Sequence, residues 1–451
     1  MSTAPTFQSI GLIDSDLLTP QSAPTKAGEQ EPPRLRRPDR QQMSLEPWCL
    51  DKRLAADHAA RIVWAVVERL DLSRFYGMIE ARGESPGRAA TDPKLLIALW
   101  LYAAIEGVGN GRKLARLCEE HDGYRWLCGG VSVNYHTLND FRVAYEAALD
   151  GLLTQVLAAL MGQGLVQVHR ISQDGTKVKA SAGKNSFRRR PKLERLLEEA
   201  QAHVSALKQQ ADDEPGESAR QRAAKQRAAR QRVERIEAAL TTMNELEAVK
   251  ARQRADKPTH HAQPRASTSD ADARRMKMPE GHFAPAYNVQ IATDPSSRAI
   301  VGVAVTAHGT DHGEDKPLRE QVQQRTGQKV SEHLVDGGYV KHEAIEDAAE
   351  EGVEIFAPLP ATGTNGSVCI HNDKDSPAVA AWRARMRTHE GQAAYKQRSA
   401  TSETVNADLK TYRGLGPLMV RGLKKVRCVA LWSVLAYNLM HFSGALLPAS
   451  G

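Results

Sequence analysis

The chain is poor in cysteine, and what it has is scattered. Cys49, Cys118, Cys128, Cys369 and Cys428 are its five cysteines, and no two form a C-x2-C pair. This argues against a zinc site and a disulfide framework, and it fits a reducing cytoplasm. No apolar run follows a basic start at the N-terminus, so no signal peptide is expected. The most apolar stretch, Val429–Leu447, is interrupted by Asn438, His441 and Ser443. A buried terminal helix accounts for it better than a membrane span. What the sequence does have is length and charge. Its 451 residues allow two or three domains. The 41% apolar and 25% charged shares read as globular, and the net charge of +7 suits a polyanionic partner without requiring one.

Residues 1–43 are rich in Pro, Gln, Ser and charge, end in a cluster of arginines, and read as a disordered tail. From 44 to 163 the pattern is helical. Asp92 is placed to cap an apolar helix beginning at Pro93, and the Gly107–Gly111 break separates it from a helix carrying Arg112, Lys113 and Arg116. A third helix begins near Thr137, an order compatible with a helix-turn-helix. From 164 to 187 and from 267 to 451 the chain reads as α/β. Strands are expected at 165–176, 287–291, 300–305, 333–335 and 353–357, with helices at 316–328 and 342–350 and a mostly helical remainder. Residues 188–266 interrupt this part as a helical insertion, two long helices hinged near Asp213–Gly216.

Two aspartates stand at strand ends: Asp174 in Gln173-Asp-Gly-Thr176, and Asp336 ahead of two glycines. Each alone reads as a turn residue. In this strand order, however, the first and fourth strands can be neighbours, which would bring the two side chains together. Carboxylates at the ends of rigid elements suit phosphodiester chemistry, where hard oxygen ligands hold two metals about 3.5–4 Å apart. Tyr395, Arg398, Glu403 and Lys410 follow on a predicted helix. At about 100° per residue they share one polar face, with Glu403 and Lys410 nearly stacked. The cluster His308, Asp311, His312, Glu314 and Asp315 reads as a polar loop entering a helix, with Asp311 the substitute if Asp336 fails. His260 and His261 sit in a linker and are assigned nothing.

These motifs resemble those of DDE transposases of bacterial insertion sequences, in the branch with the signature Y-x2-R-x3-E-x6-K. Here the run is Tyr395-x2-Arg398-x4-Glu403-x6-Lys410, one residue longer between Arg and Glu. Gln173-Asp174-Gly175-Thr176-Lys177 is similar to the family's first strand end. Leu334-Val-Asp336-Gly-Gly-Tyr339 is similar to the fourth, and Pro285–Ala292 to the second strand. Tyr124–Leu127 and His136–Arg142 are similar to its N-terminal helical domain. The resemblance implies an RNase H-like core, a mixed five-stranded sheet with flanking helices, preceded by a helical DNA-binding domain. It implies Asp174, Asp336 and Glu403 as catalytic ligands of two Mg²⁺ (or Mn²⁺). It also implies that Tyr395, Arg398 and Lys410 hold DNA. Arg112, Lys113, Arg116 and Arg142 are candidates for terminal-repeat contacts. The implied partner is double-stranded DNA, both element ends and target, bound as a dimer in the bacterial cytoplasm and nucleoid, with no membrane. The competing readings are a nuclease on the same core that cuts without joining, and a DNA-binding derivative that has lost catalysis.

Overall fold

Capping chemistry starts the first helices where the sequence places them. Asp92 accepts a hydrogen bond from the backbone N–H of Lys94 at 2.8 Å, with Pro93 in the first turn. A cap of this kind is worth about 1 kcal/mol. Asn110 accepts from the N–H groups of Arg112 and Lys113, and Asn134 from that of Thr137. In the computed structural model, which describes residues 49–79, 89–213, 218–256, 263–362, 367–368 and 375–447, these caps belong to a run of eight helices. They are α1 (Leu50–Arg53), α2 (Ala59–Val67), α3 (Ser73–Gly77), α4 (Pro93–Ile105), α5 (Gly111–Glu120), α6 (Asp122–Cys128), α7 (Tyr135–Ala144) and α8 (Glu146–Gly162). The expected tail 1–43, the hinge residues 214–216, and His260 and His261 lie outside the described residues.

The chain then alternates strand and helix. It forms β1 (Arg170–Lys179), β2 (Phe187–Arg188), α9 (Arg190–Asp213), α10 (Ala219–Asp256), β3 (Ala266–Ser267), β4 (Arg274–Lys277), β5 (Phe283–Thr293) and β6 (Ile300–Thr306). There follow α11 (Asp315–Thr326), β7 (Glu332–Leu334), α12 (His342–Glu350), β8 (Glu354–Phe356), α13 (Pro377–Arg387), α14 (His389–Arg398), α15 (Thr404–Thr411) and α16 (Leu423–His441). The main sheet runs β4–β5–β1–β7–β8, and β6 also pairs with β5. Pairings among β1, β4, β5 and β6 are antiparallel, while β1–β7 and β7–β8 are parallel. Parallel neighbours need a crossover, and α11 and α12 supply them ahead of β7 and β8. This mixed sheet is consistent with the expected core. The count differs, since the sheet has six strands and not five. The extra strand, β4, reads Arg-Arg-Met-Lys and buries only Met276, so it carries little apolar signal.

α16 joins the helical region to the sheet. It packs against α4, α8 and β6, and its residues from Cys428 to Leu439 are buried. Asn438 sits in that apolar surface because it completes the start of β6. It accepts from Ile300 N and donates to Ile300 O, both at 2.9 Å. An unpaired buried amide would cost about 1–3 kcal/mol. The stretch from Val429 is thus a buried core helix, and one hydrophobic cluster runs from α2 through the sheet to α16. Among the described residues no single helix is long and apolar enough to cross a membrane. α7 and α8 reach that length only as a pair bent by 71°. The insertion is a hairpin of α9 and α10, packed through Leu193, Ala239 and Met243 at its base. Arg190 ties it by hydrogen bonds to Glu247 and Asn244, beside the short β2–β3 ladder.

Candidate active site

The sheet register explains why two aspartates distant in sequence meet. The last β1–β7 pair is Ser172 with Leu334, and two residues further along each strand stand Asp174 and Asp336. With the period of two along a strand, both side chains leave the sheet on the same face. Arg398 spans the gap: its Nη2 is 2.8 Å from Asp174 Oδ1 and 3.7 Å from Asp336 Oδ2. Asn406 donates to the other Asp174 oxygen at 2.8 Å. The backbone N–H of Gly338 donates to Asp336 Oδ1 at 2.7 Å.

Asp311, read from the sequence as a loop residue, comes close to the same place. It accepts from Asn288 Nδ2 and Gln290 Nε2, both at 2.7 Å. A Cβ on Gly175 would lie 2.0 Å from Asp311 Oδ1, so only glycine lets this carboxylate approach the strand. The rest of its cluster is loop and helix structure, with His308 bound to Glu314 and the buried Asp315 beside Arg319. Burial raises the pKa of Asp174 above the ordinary aspartate value. Arg398 and Asn406 pull it down, while Asp336 and Asp311 push it further up. Burial, with Asp311, Asp174 and Asp336 adding to it, likewise raises the pKa of the Tyr339 phenol, which donates to Gln290.

The segment carrying Tyr395 to Lys410 is not one uniform α-helix. α14 ends at Arg398, Ser399–Glu403 forms a π-helical turn, and α15 begins at Thr404. Asn406 follows Arg398 by eight residues, which in a straight α-helix would set them about 80° apart. Both nevertheless reach Asp174. A π-turn takes up one extra residue, leaving a phase close to two full turns. The extra residue between Arg398 and Glu403 is thus taken up in the turn, and Arg398 stays at Asp174. Ser402, buried in the same turn, is 2.7 Å from Ser172 through the two hydroxyls and fixes the turn on β1. Glu403 is exposed and makes no hydrogen bond or ion pair to a described residue. The site therefore gathers Asp174, Asp336 and Asp311, and no hydrogen bond or ion pair among the described residues ties Glu403 to them.

Hard carboxylate oxygens at this point fit a divalent cation in kind. Asn406 is 7% exposed and its Oδ1 has no partner, a further free oxygen beside Asp174. In arrangement the site is incomplete. Among the described residues no group of three His, Cys, Asp or Glu side chains is disposed to hold a metal. Arg398 and Asn406 engage both Asp174 oxygens.

Two family comparisons bear on this geometry. Residues 48–144 match a family described as a transposase domain, and residues 363–442 match one described as a transposase DDE domain. Both matches are to transposase domains, and together they support an insertion-sequence DDE-type transposase. The first match spans the helices before α8, and the second spans the Tyr395–Lys410 segment. Asp174 and Asp336 lie outside both. No curated protein and no solved structure matches the chain.

The remaining expected DNA contacts of the transposase divide by burial. Arg112, Lys113 and Arg116 are exposed on α5; Arg112 lies over the ring of Tyr135 and Arg116 pairs with Glu120 at 3.4 Å. Arg142 does not fit the role proposed for it. It is 6% exposed, donates to Gly109 O at 2.6 Å and lies 4.7 Å from the centre of the Trp100 ring. Tyr395 is half-buried near Arg398. Burial lowers the pKa of the half-buried Lys410, while Glu280 and Asp174 act the other way. Sequence reasoning passed over Asn406 and Ser402, since a neutral side chain on a charged helix face carries no signal of its own.

Proposed function

We propose that this transposase cleaves DNA at the ends of its element and joins the freed 3′-OH to target DNA. In this reading Asp174, Asp336 and Glu403 hold two divalent ions, Mg²⁺ or Mn²⁺, on an RNase H-like sheet. The observation that carries it is the Arg398 guanidinium bridging Asp174 and Asp336, a cation already seated between two partly buried carboxylates. Such ions supply activation of the attacking oxygen and stabilisation of the leaving one.

The chain's own residues then have distinct tasks. Asp174 and Asp336 provide oxygen donors fixed by strand register, and Asn406 and the Gly338 N–H orient them. Glu403, whose side chain has no partner among the described residues, is the third donor once the site is charged. Arg398 exchanges its carboxylate partners for a DNA phosphate, for which a guanidinium fork is well matched. Lys410 and Tyr395 hold the same backbone. Arg112, Lys113 and Arg116 contact the terminal repeat. Bringing two ends together calls for two copies on the DNA, acting in the cytoplasm.

The test is a labelled element-end duplex incubated with plasmid and Mg²⁺. Transposition predicts both a nicked end and a joined product. Cleavage without joining would favour a nuclease, and binding without cleavage a catalytically inactive derivative.

A further inference from the structure

A cleft of about 590 Å³ opens where the base of the helical hairpin meets the β4–β5 edge. Arg189, Lys250, Arg265, Arg274 and Arg275 line it around the exposed ring of Phe283, and no carboxylate is among its lining residues. Arg274 is committed locally: it donates to the carbonyls of Ala271 and Ala273 and faces Asp272 and Glu245. Arg189, Arg265 and Arg275 are different. They are exposed, and their side chains form no hydrogen bond or ion pair with a described residue. Lys277, two residues after Arg275 on β4, is exposed too, and its side chain has no partner among the described residues.

Strand register relates these cations to the carboxylates. Asp174 pairs with Ile291 on β5, while Arg275 pairs with Pro285 and Lys277 with Phe283 on the same strand. Both intervals along β5 are even. Arg275, Lys277 and Asp174 therefore project from one face of the sheet. The six steps along the strand from Pro285 to Ile291 span about 20 Å, the rise of roughly six steps of B-form DNA.

We propose that this cleft and the adjoining β4 edge grip the phosphate backbone of duplex DNA about six base pairs from the scissile phosphate. Duplex DNA is the occupant because Arg189, Arg265, Arg275 and Lys277 have no carboxylate partner among the described residues, and the two on β4 lie along the strand edge that leads to the carboxylates. The placement relative to cleavage rests on the active-site reading above; the grip itself rests on charge and register. It gives the helical hairpin a task, since its base supplies Arg189 and Lys250 to one wall of the cleft.

The test is the variant Arg189→Ala/Arg265→Ala/Arg275→Ala/Lys277→Ala, in surface positions where an unchanged unfolding temperature reports an intact fold. With a random-sequence duplex, its affinity should fall at least tenfold and the dependence of log K on log salt should flatten by about 3.6, roughly 0.9 for each of the four cations. With element-end duplexes shortened on either side of the scissile phosphate, wild type should lose affinity when one arm falls below about six base pairs. The variant should be indifferent to that arm. An unchanged salt slope, or an unchanged arm dependence, would overturn the proposal. Asp174→Ala keeps both binding readouts while losing cleavage. If that variant still cleaves, the active-site reading fails and the grip stands on the salt slope.

Discussion

The helical region before the sheet and the carboxylate end of the sheet both bury an arginine, in opposite surroundings. Arg142 is held by neutral groups, a backbone carbonyl and an indole face, and burial brings its pKa down to about 10. Arg398 lies against two carboxylates, one of which burial pushes towards its neutral form. In the first region the polar group serves packing, and every contact supports the others. In the second, like charges are gathered in a partly desolvated place, an arrangement that costs stability and marks a functional site. Exposure alone does not separate the two arginines. Their partners do.

The largest expected effects separate these regions by activity. Asp174→Ala and Asp336→Ala should each reduce strand cleavage at least about a hundredfold, with end binding retained, as should Glu403→Ala. Gel-shift and cleavage assays on one duplex check this together. An Asp336→Ala protein that cleaves normally would move the second carboxylate to Asp311. Arg142→Ala, by contrast, should act through folding. Loss of a buried charged hydrogen bond and a cation–π contact should cost about 2–3 kcal/mol in denaturant unfolding. If it weakened DNA binding with stability unchanged, the contrast between the two arginines would collapse.

A smaller effect sharpens the comparison through pH. The folded pKa of Asp174 lies above the ordinary value of 3.8. Its contribution to stability is therefore present below that value and lost as pH rises through the folded pKa. Arg398→Ala should raise that pKa further and steepen the loss. Asp174→Asn should flatten it, and so should a divalent ion that favours the charged carboxylate. Thermal unfolding across acid to neutral pH measures all three. Arg142→Ala should leave this pH dependence unmoved.

The smallest effect concerns the π-turn. Deleting Ala400 should convert the turn to α-helix while Arg398 and Asn406 both stay on Asp174, so stability should change little. Inserting a residue there should instead separate them and abolish cleavage. Equal tolerance of both changes would remove the turn from the account.

Much of this was readable in the sequence, for identifiable reasons. The Asp92 cap and the apolar run after it are local signals, and the helix they announce stands where they put it. The meeting of Asp174 and Asp336 follows from strand order, because side chains two residues past a parallel pair must be neighbours. β4 was missed since three of its four residues are cationic. The burial of Arg142 was missed because it depends on Trp100 and Gly109, which lie far from it in the chain. The extra residue between Arg398 and Glu403 was visible, but its accommodation was not. A π-turn is set by what its flanks must touch, here Ser172 and Asp174.

The central claim is that Asp174 and Asp336 contact divalent ions during cleavage, and replacing Asp336 with Cys tests it most directly. A thiolate disfavours Mg²⁺ and accepts softer ions. Cleavage of an element-end duplex by Asp336→Cys should be lost in Mg²⁺ and return in Mn²⁺, while wild type cuts in both. Undiminished cleavage by Asp336→Cys in Mg²⁺ would contradict the account.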